Sequence, residues 1–164
     1  TASIAVQASL TGHLVLSTLH TNTAAGALTR LEDMGVEPFL LASSLNGVIA
    51  QRLVRVLCKE CKQPHLPDAA EQELLQIRRL DDHLLFRPEG CPACNHSGYR
   101  GRLGLYELLV VDEAMRRMIH DRASEEEIAA HARRTQSSLR ADGRAKVLAG
   151  LTTVAEVMRV SLED

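Results

Sequence analysis

An α/β fold with an inserted cysteine module and a C-terminal set of helices is what the sequence predicts, on three observations. A helix-forming opening, a nearly continuous apolar run and a second helical stretch follow one another within the first 35 residues, the rhythm of a parallel α/β sheet. Four cysteines, with none left over, form two CxxC pairs, Cys58-Lys59-Glu60-Cys61 and Cys91-Pro92-Ala93-Cys94. Two helix-start signatures of the capping-box type, Ser124-Glu125-Glu126-Glu127 and Thr153-Val154-Ala155-Glu156, mark the C-terminal region as helical.

The elements are expected in the following order. Residues 1–10 read as the interior of a helix that stops at Thr11-Gly12, which makes the chain the C-terminal piece of a longer protein. His13-Leu14-Val15-Leu16-Ser17-Thr18-Leu19 follows as a strand buried on both faces. Asn22-Thr23 offers an N-cap for a helix through Ala24 to Met34, which Gly35 closes. Val36-Glu37-Pro38 opens another short helix, and residues 48–57 read as a strand leading into the first CxxC. Asp68-Ala69-Ala70-Glu71 begins a helix running to about Leu80, with Glu71, Glu73, Arg78 and Arg79 on a solvated face. Residues 103–111 read as a strand, followed by three or four short helices, in which Arg133, Arg134 and Lys146 fall late, where the helix dipole favours a cation.

Composition narrows the function. The 164 residues are 45% hydrophobic but only 2% aromatic, enough for one modest aliphatic core or a core with a satellite. A net charge of −2 gives no global pull toward nucleic acid or anionic lipid. No apolar run reaches transmembrane length.

The cysteine pairs point to a structural zinc site. Each CxxC places two thiolates on one ion from a tight knuckle, and Cys58, Cys61, Cys91 and Cys94 together complete the tetrahedral S4 shell that zinc favours. Past the second knuckle, Asn95-His96-Ser97-Gly98-Tyr99-Arg100-Gly101 is polar and glycine-rich, suited to turning backbone N–H groups toward the sulfurs. The competing readings, redox CxxC motifs and a disulfide scaffold, are weaker. Both pairs lie among Pro, Gly and charged residues typical of loops, and no signal peptide is visible. Such a closed shell contributes on the order of 10 kcal/mol of apparent binding free energy to folding, but has no open position for chemistry.

Chemistry outside that module concentrates in residues 11–22. In open α/β sheets ligands lie beyond the carboxyl ends of the strands, where Thr18, His20, Thr21 and Asn22 would cluster. His20 is the better candidate for a phosphate or water contact. His13, at the opposite end of the strand, serves only if its ring packs back toward the site.

The run from Gln7 to Asn22, the stretch Ala27-Leu28-Thr29-Arg30-Leu31-Glu32-Asp33-Met34-Gly35, the segment Ala50-Gln51-Arg52-Leu53-Val54-Arg55, the four cysteines and Gly98-Tyr99-Arg100-Gly101-Arg102-Leu103-Gly104 closely resemble the C-terminal part of type II secretion and type IV pilus assembly ATPases, the GspE/PulE-like family. The resemblance covers nearly the whole chain in order. It implies the C-terminal part of a RecA-like P-loop ATPase core over residues 1–57, a tetracysteine zinc-binding subdomain over 58–102, and a closing strand with a C-terminal helical bundle over 103–164.

It further implies a hexameric ATP hydrolase, cytoplasmic and peripheral to the inner membrane, that powers type II protein secretion by pseudopilus assembly or, alternatively, type IV pilus assembly, works with membrane platform proteins and uses ATP and Mg2+ in the full-length protein. Residues 11–22 resemble the family's histidine box, so His13 and His20 are expected near the γ-phosphate or its attacking water. Arg30 is expected at the site or the subunit boundary, and Arg102 at a neighbouring subunit. The departure is equally plain. No Gly-x-x-x-x-Gly-Lys-Ser/Thr occurs, and none of the ten glycines is followed by Lys. The chain alone is therefore expected not to hydrolyse ATP, the phosphate-binding elements lying upstream in the family.

The alternative from another class is a zinc-ribbon binding module without catalysis, for which Arg52, Arg55, Lys59 and Lys62 around the first knuckle and Arg100 and Arg102 beside the second would be the contacts. The surface is not basic overall, and Tyr99 is the only aromatic residue near the knuckles able to stack on a base, so no nucleic acid is expected.

Overall fold

The computed structural model describes residues 1–21, 23–77 and 84–161. The chain divides into two compact units. The first comprises residues 1–50 and 107–138, and the second begins with residues 51–106 and resumes at Leu139.

In the first unit, α1 (Ala2–Leu10) ends at Thr11, whose N–H reaches the Gln7 and Ala8 carbonyls. The helix α2 (Gly26–Asp33) begins after a turn in which the Thr23 hydroxyl accepts the Gly26 N–H at 2.9 Å. It closes at Gly35, whose left-handed φ of 85° lets its N–H and that of Val36 reach back to Glu32 and Leu31. The next helix, α3 (Pro38–Ser44), has Pro38 in its first turn, where the missing N–H costs nothing. After the ribbon described below come α5 (Glu113–His120), capped by Asp112, and α6 (Glu125–Thr135), which carries the full Ser124–Glu127 capping box. Leu28, Leu41, Leu109, Met115, Ile119 and Ile128 form the core of this unit.

The strands β1 (Gly47–Leu57) and β4 (Tyr99–Val110) form a two-stranded ribbon that contributes to both units. Gly47 lies against Leu109 and Gln51 bonds Tyr106, so the two strands run antiparallel. The rest of the second unit holds β2 (Gln63–His65), paired antiparallel with β3 (Leu85–Arg87), and α4 (Ala69–Leu75) between them, followed by α7 (Leu139–Leu148) and α8 (Val154–Ser161) after β4. Its core is Val54, Leu75, Leu85, Leu105, Leu139, Val147 and Val157.

Several sequence expectations are corrected. Residues 13–20 form no strand, and Leu14 and Leu16 are 81% and 87% exposed rather than buried. An apolar strand is held by neighbouring strands that take up its backbone N–H and C=O groups. Among the described residues no strand pairs with this run, and neither two-stranded sheet is the parallel one expected. The helix begun by the Asp68–Glu71 capping box stops at Leu75 because Gln76 adopts a left-handed φ of 50°, five residues short of Leu80. Arg78, Arg79 and Leu80 lie outside the described residues. Glu71 is not simply solvated either, since it closes the box and also sits 3.0 Å from His65 Nε2. The second long strand begins at Tyr99, four residues before the expected Leu103.

At the start of α8, Thr153 accepts the Glu156 N–H as its signature predicts, but the Glu156 carboxylate does not complete the box. Its side chain is 3% exposed and accepts from the Arg55 guanidinium at 2.8 Å, the Arg55 backbone N–H at 2.9 Å and the Arg159 guanidinium at 3.0 Å. Burial acts to raise its pKa, but the bonds from Arg55 and Arg159 outweigh it and bring the carboxyl down to about 2. Because the folded value lies below the ordinary 4.5, the stabilisation is complete above that pH and is lost as pH falls toward 2. Glu156→Gln is expected to lower stability at pH 7 by about 2 kcal/mol, the scale of hydrogen bonds to a charged group. Urea melts between pH 5 and pH 2 should show a shallower acid decline in the variant than in the wild type; equal slopes would remove Glu156 from that role.

Candidate functional site: a tetracysteine centre and the loop before α2

Both knuckles are built from backbone turns that local sequence dictates. In the first, the Lys62 N–H returns to the Cys58 carbonyl at 3.0 Å. In the second, Pro92–Cys94 makes a single 3-10 turn, and Asn95 and His96 in left-handed conformations bring the His96 N–H back to the Cys91 carbonyl. The result gathers all four sulfurs within 4.8 Å of one another.

The sulfur spacing matches a tetrahedral metal shell. Metal–sulfur bonds of about 2.3 Å at tetrahedral angles require S···S separations of about 3.8 Å. Cys58–Cys91 and Cys61–Cys94 are each 3.9 Å apart and Cys91–Cys94 is 3.8 Å. The same distances are far beyond the disulfide bond length of about 2.05 Å, and all four cysteines are free.

Backbone donors surround the sulfurs. Gly98 N–H donates to Cys94 Sγ at 3.2 Å, as the glycine-rich run after the second knuckle predicts. Two more donors escaped the sequence reading: Gly90 N–H to Cys61 Sγ at 3.3 Å, and Cys91 N–H to Cys94 Sγ at 3.2 Å. A glycine directly before the second CxxC was the available signal for the former. Burial pushes the Cys61 thiol up to about 11. At Cys94 burial also opposes ionisation, but the N–H groups of Cys91 and Gly98 outweigh it and bring the thiol down to about 6. Thiolates gathered this closely repel one another, and a dication bound among them supplies the compensating charge.

Residues flanking the knuckles hold one short segment of the same unit. Leu57, just before Cys58, donates its N–H to the Leu151 carbonyl at 2.9 Å. Lys62, just after Cys61, donates to the Gly150 carbonyl at 2.8 Å and packs over the Phe86 ring. The Tyr99 hydroxyl meets Thr153 Oγ1 at 3.1 Å while its ring lies under the Arg55 guanidinium, 4.2 Å away. The segment 150–153 leads directly into α8.

The cations around the knuckles are therefore largely committed inside the fold. Arg55 serves Glu156, Lys62 serves Gly150 and Phe86, Arg100 sits 3.9 Å from Glu60, and Arg52 also has an internal interaction. Lys59 and Arg102 are exposed. Tyr99, the aromatic residue beside the second knuckle, is half-buried and held between Arg55 and Thr153.

The other predicted residues lie elsewhere. His13 follows α1, its Nδ1 3.1 Å from the Thr11 hydroxyl and 3.2 Å from the Ala8 carbonyl. Thr18 and His20 are exposed, Thr21 is half-buried and donates to the Thr23 carbonyl at 3.1 Å, and Arg30 is exposed on α2. Asn22 lies outside the described residues. No hydrogen bond or ion pair joins His13, His20 and Arg30 among the described residues.

A helix-rich α/β architecture of this kind occurs in solved ATPase structures. The pilus retraction motor PilT with bound ADP aligns with a TM-score of 0.61 and 23% identity, over 97% of this chain and 35% of that one. The Legionella pneumophila ATPase DotB aligns with the same TM-score and 20% identity, over 99% of this chain and 36% of that one. At these identities the likeness defines the fold. A family model described as type II/IV secretion system protein matches residues 1–159, and the chain belongs to that family. It is 57% identical to type II secretion system ATPase E of Vibrio cholerae serotype O1 and 60% identical to type II secretion system protein E of Pseudomonas aeruginosa, over all 164 residues and 33% of each relative. The chain thus spans about a third of the length of the curated relatives it matches. No helix among the described residues is long and apolar enough to cross a membrane.

Gly98→Ala is expected to damage the centre. Its φ of 75° disfavours any side chain, and an added Cβ would come within 2.4 Å of Pro88 Cβ. The shift would pull the N–H from Cys94 Sγ, and cobalt titration of the protein should show at least tenfold weaker binding, the scale found when partners of metal ligands are removed. Wild-type affinity in that variant would show that this donor does not support the site.

Proposed function

We propose that this chain forms part of a cytoplasmic hexameric ATPase, peripheral to the inner membrane, that powers type II protein secretion by assembling a pseudopilus. The observation that carries this reading is 57–60% identity over the entire chain to relatives named as type II secretion system ATPase E and type II secretion system protein E. Homo-hexamer formation, membrane platform partners and the use of ATP with Mg2+ belong to the same proposal.

In this reading residues 1–57 complete a RecA-like core, residues 58–102 form the zinc subdomain, and residues 103–164 the closing strand and helical bundle. Cys58, Cys61, Cys91 and Cys94 hold a structural Zn2+, an assignment supported by the S···S spacing and the donor N–H groups. The histidine box supplies His20, with His13, near the γ-phosphate or its attacking water. Thr18, Thr21 and Asn22 line the nucleotide, and Arg30 serves the site or the subunit boundary. The exposure of Thr18, His20 and Arg30 leaves them available to groups supplied from elsewhere in the protein. Arg102, exposed on β4, is available to a neighbouring subunit.

Two measurements test the proposal. The full-length protein should hydrolyse ATP, and His20→Ala should lower kcat by about 100-fold or more, the range for loss of a group that handles the reacting proton or water. A full-length protein without nucleotide hydrolysis would overturn the motor reading. Metal analysis should find one zinc per chain and its loss in Cys91→Ser; unchanged zinc in that variant would sink the four-thiolate assignment.

A further inference from the structure

The loop that precedes α2 is tied to a residue 102 positions further along the chain. Thr23 Oγ1 donates to Glu125 Oε1 at 2.7 Å and accepts the Gly26 N–H at 2.9 Å. A carboxylate only accepts, so the single hydroxyl proton of Thr23 points at Glu125 and its lone pair is left facing Gly26. On the other side, Thr21 Oγ1 donates to the Thr23 carbonyl. Thr23 thus joins Thr21 to the start of α2.

Three features show that the junction is built rather than incidental. A Cβ on Gly26 would lie 2.8 Å from Thr23 Oγ1 and 3.2 Å from Glu125 Oε1, so the two oxygens converge in the space that glycine leaves. Ala24 and Ala25, in the turn itself, are 0% and 2% exposed and belong to the same core cluster as Ile128 and Ala132 of α6. Glu125 is not needed to cap its own helix, because Glu127 already returns to the Ser124 N–H and hydroxyl. The position of Glu125 in the first turn of α6 also favours its negative charge.

We propose that Glu125 is a positioning residue for nucleotide turnover: it orients the Thr23 hydroxyl and so holds Thr23, and Thr21 beside His20, in working positions. The inference rests on the ATPase reading above. Glu125 touches no reacting atom in this role and acts through Thr23 alone. It gives helix α6 a direct hold on Thr23, three residues beyond the candidate histidine.

The test uses the full-length protein, with hydrogen exchange at the amides of residues 20–26 and steady-state ATP hydrolysis measured on the same samples. Glu125→Ala and Thr23→Val should each speed exchange at Gly26 roughly fivefold, the worth of one typical intramolecular hydrogen bond. Both should lower kcat by a similar or larger factor, with a smaller change in KM. Glu125→Gln, which keeps an accepting oxygen, should restore both quantities, and the Glu125→Ala/Thr23→Val double variant should be no worse than either single one. Wild-type exchange in Glu125→Ala would overturn the proposal at its structural step. Faster exchange with wild-type kcat would overturn it at the functional step. Failure of the underlying reading is distinct, because the unaltered full-length protein would then show no ATP hydrolysis to compare.

Discussion

Four sulfurs drawn within 4.8 Å of one another close a loop between knuckles 33 residues apart, and much of the second unit takes its position from that closure. The residues next to the cysteines, Leu57, Lys62 and Tyr99, hold segment 150–153, and that segment starts α8. Helix α8 in turn delivers Glu156 to the backbone and guanidinium of Arg55. The constraint has a plain electrostatic origin. Buried thiols lose protons at a cost, and several thiolates in one place repel one another, so a cluster of this spacing is most stable around a cation. A chain with 2% aromatic residues has few large side chains with which to hold such loops by packing alone.

Electrostatics of the second unit works mainly inward. Glu156 is almost fully buried and serves two arginines, while Lys146 is spent on the Gly104 carbonyl and on Asp142. These contacts support the ribbon strands from the side of α7 and α8. Of the basic residues near the cysteine knuckles, Arg55 and Lys62 likewise have partners within the fold.

The first unit is organised differently, around an aliphatic core and a few directed polar contacts. Its apolar run at residues 14–16 is exposed, whereas the turn of Ala24 and Ala25 just after it is sealed into the core. Membership of the type II/IV secretion family and coverage of about a third of the relatives' length give this contrast a context. Residues 14–16 and His20 are exposed, while Thr23, three residues beyond His20, is bonded to Glu125.

Local signals were legible without coordinates. The Asp68–Glu71 and Ser124–Glu127 boxes, the Gly35 stop, the Pro38 start and each CxxC knuckle depend on groups a few residues apart, so the chain itself determined them. The four-thiolate cluster joins knuckles 33 residues apart and was legible for another reason, that two CxxC pairs with no cysteine left over complete one S4 shell. Partners far along the chain were not. Glu156 carries a capping-box signature, yet its carboxylate goes to Arg55, 101 residues away, because a buried charge gains more from two guanidinium groups than from one backbone N–H. Glu125 reads as one of three interchangeable acids until Thr23 is seen beside it. The run from His13 to Leu19 has the composition of a buried strand, but a strand exists only where another backbone takes up its hydrogen bonds. Sequence by itself determined the turns, the caps and the cysteine knuckles. Tertiary structure decided which charges meet and which apolar face is covered, since both depend on what the fold brings alongside.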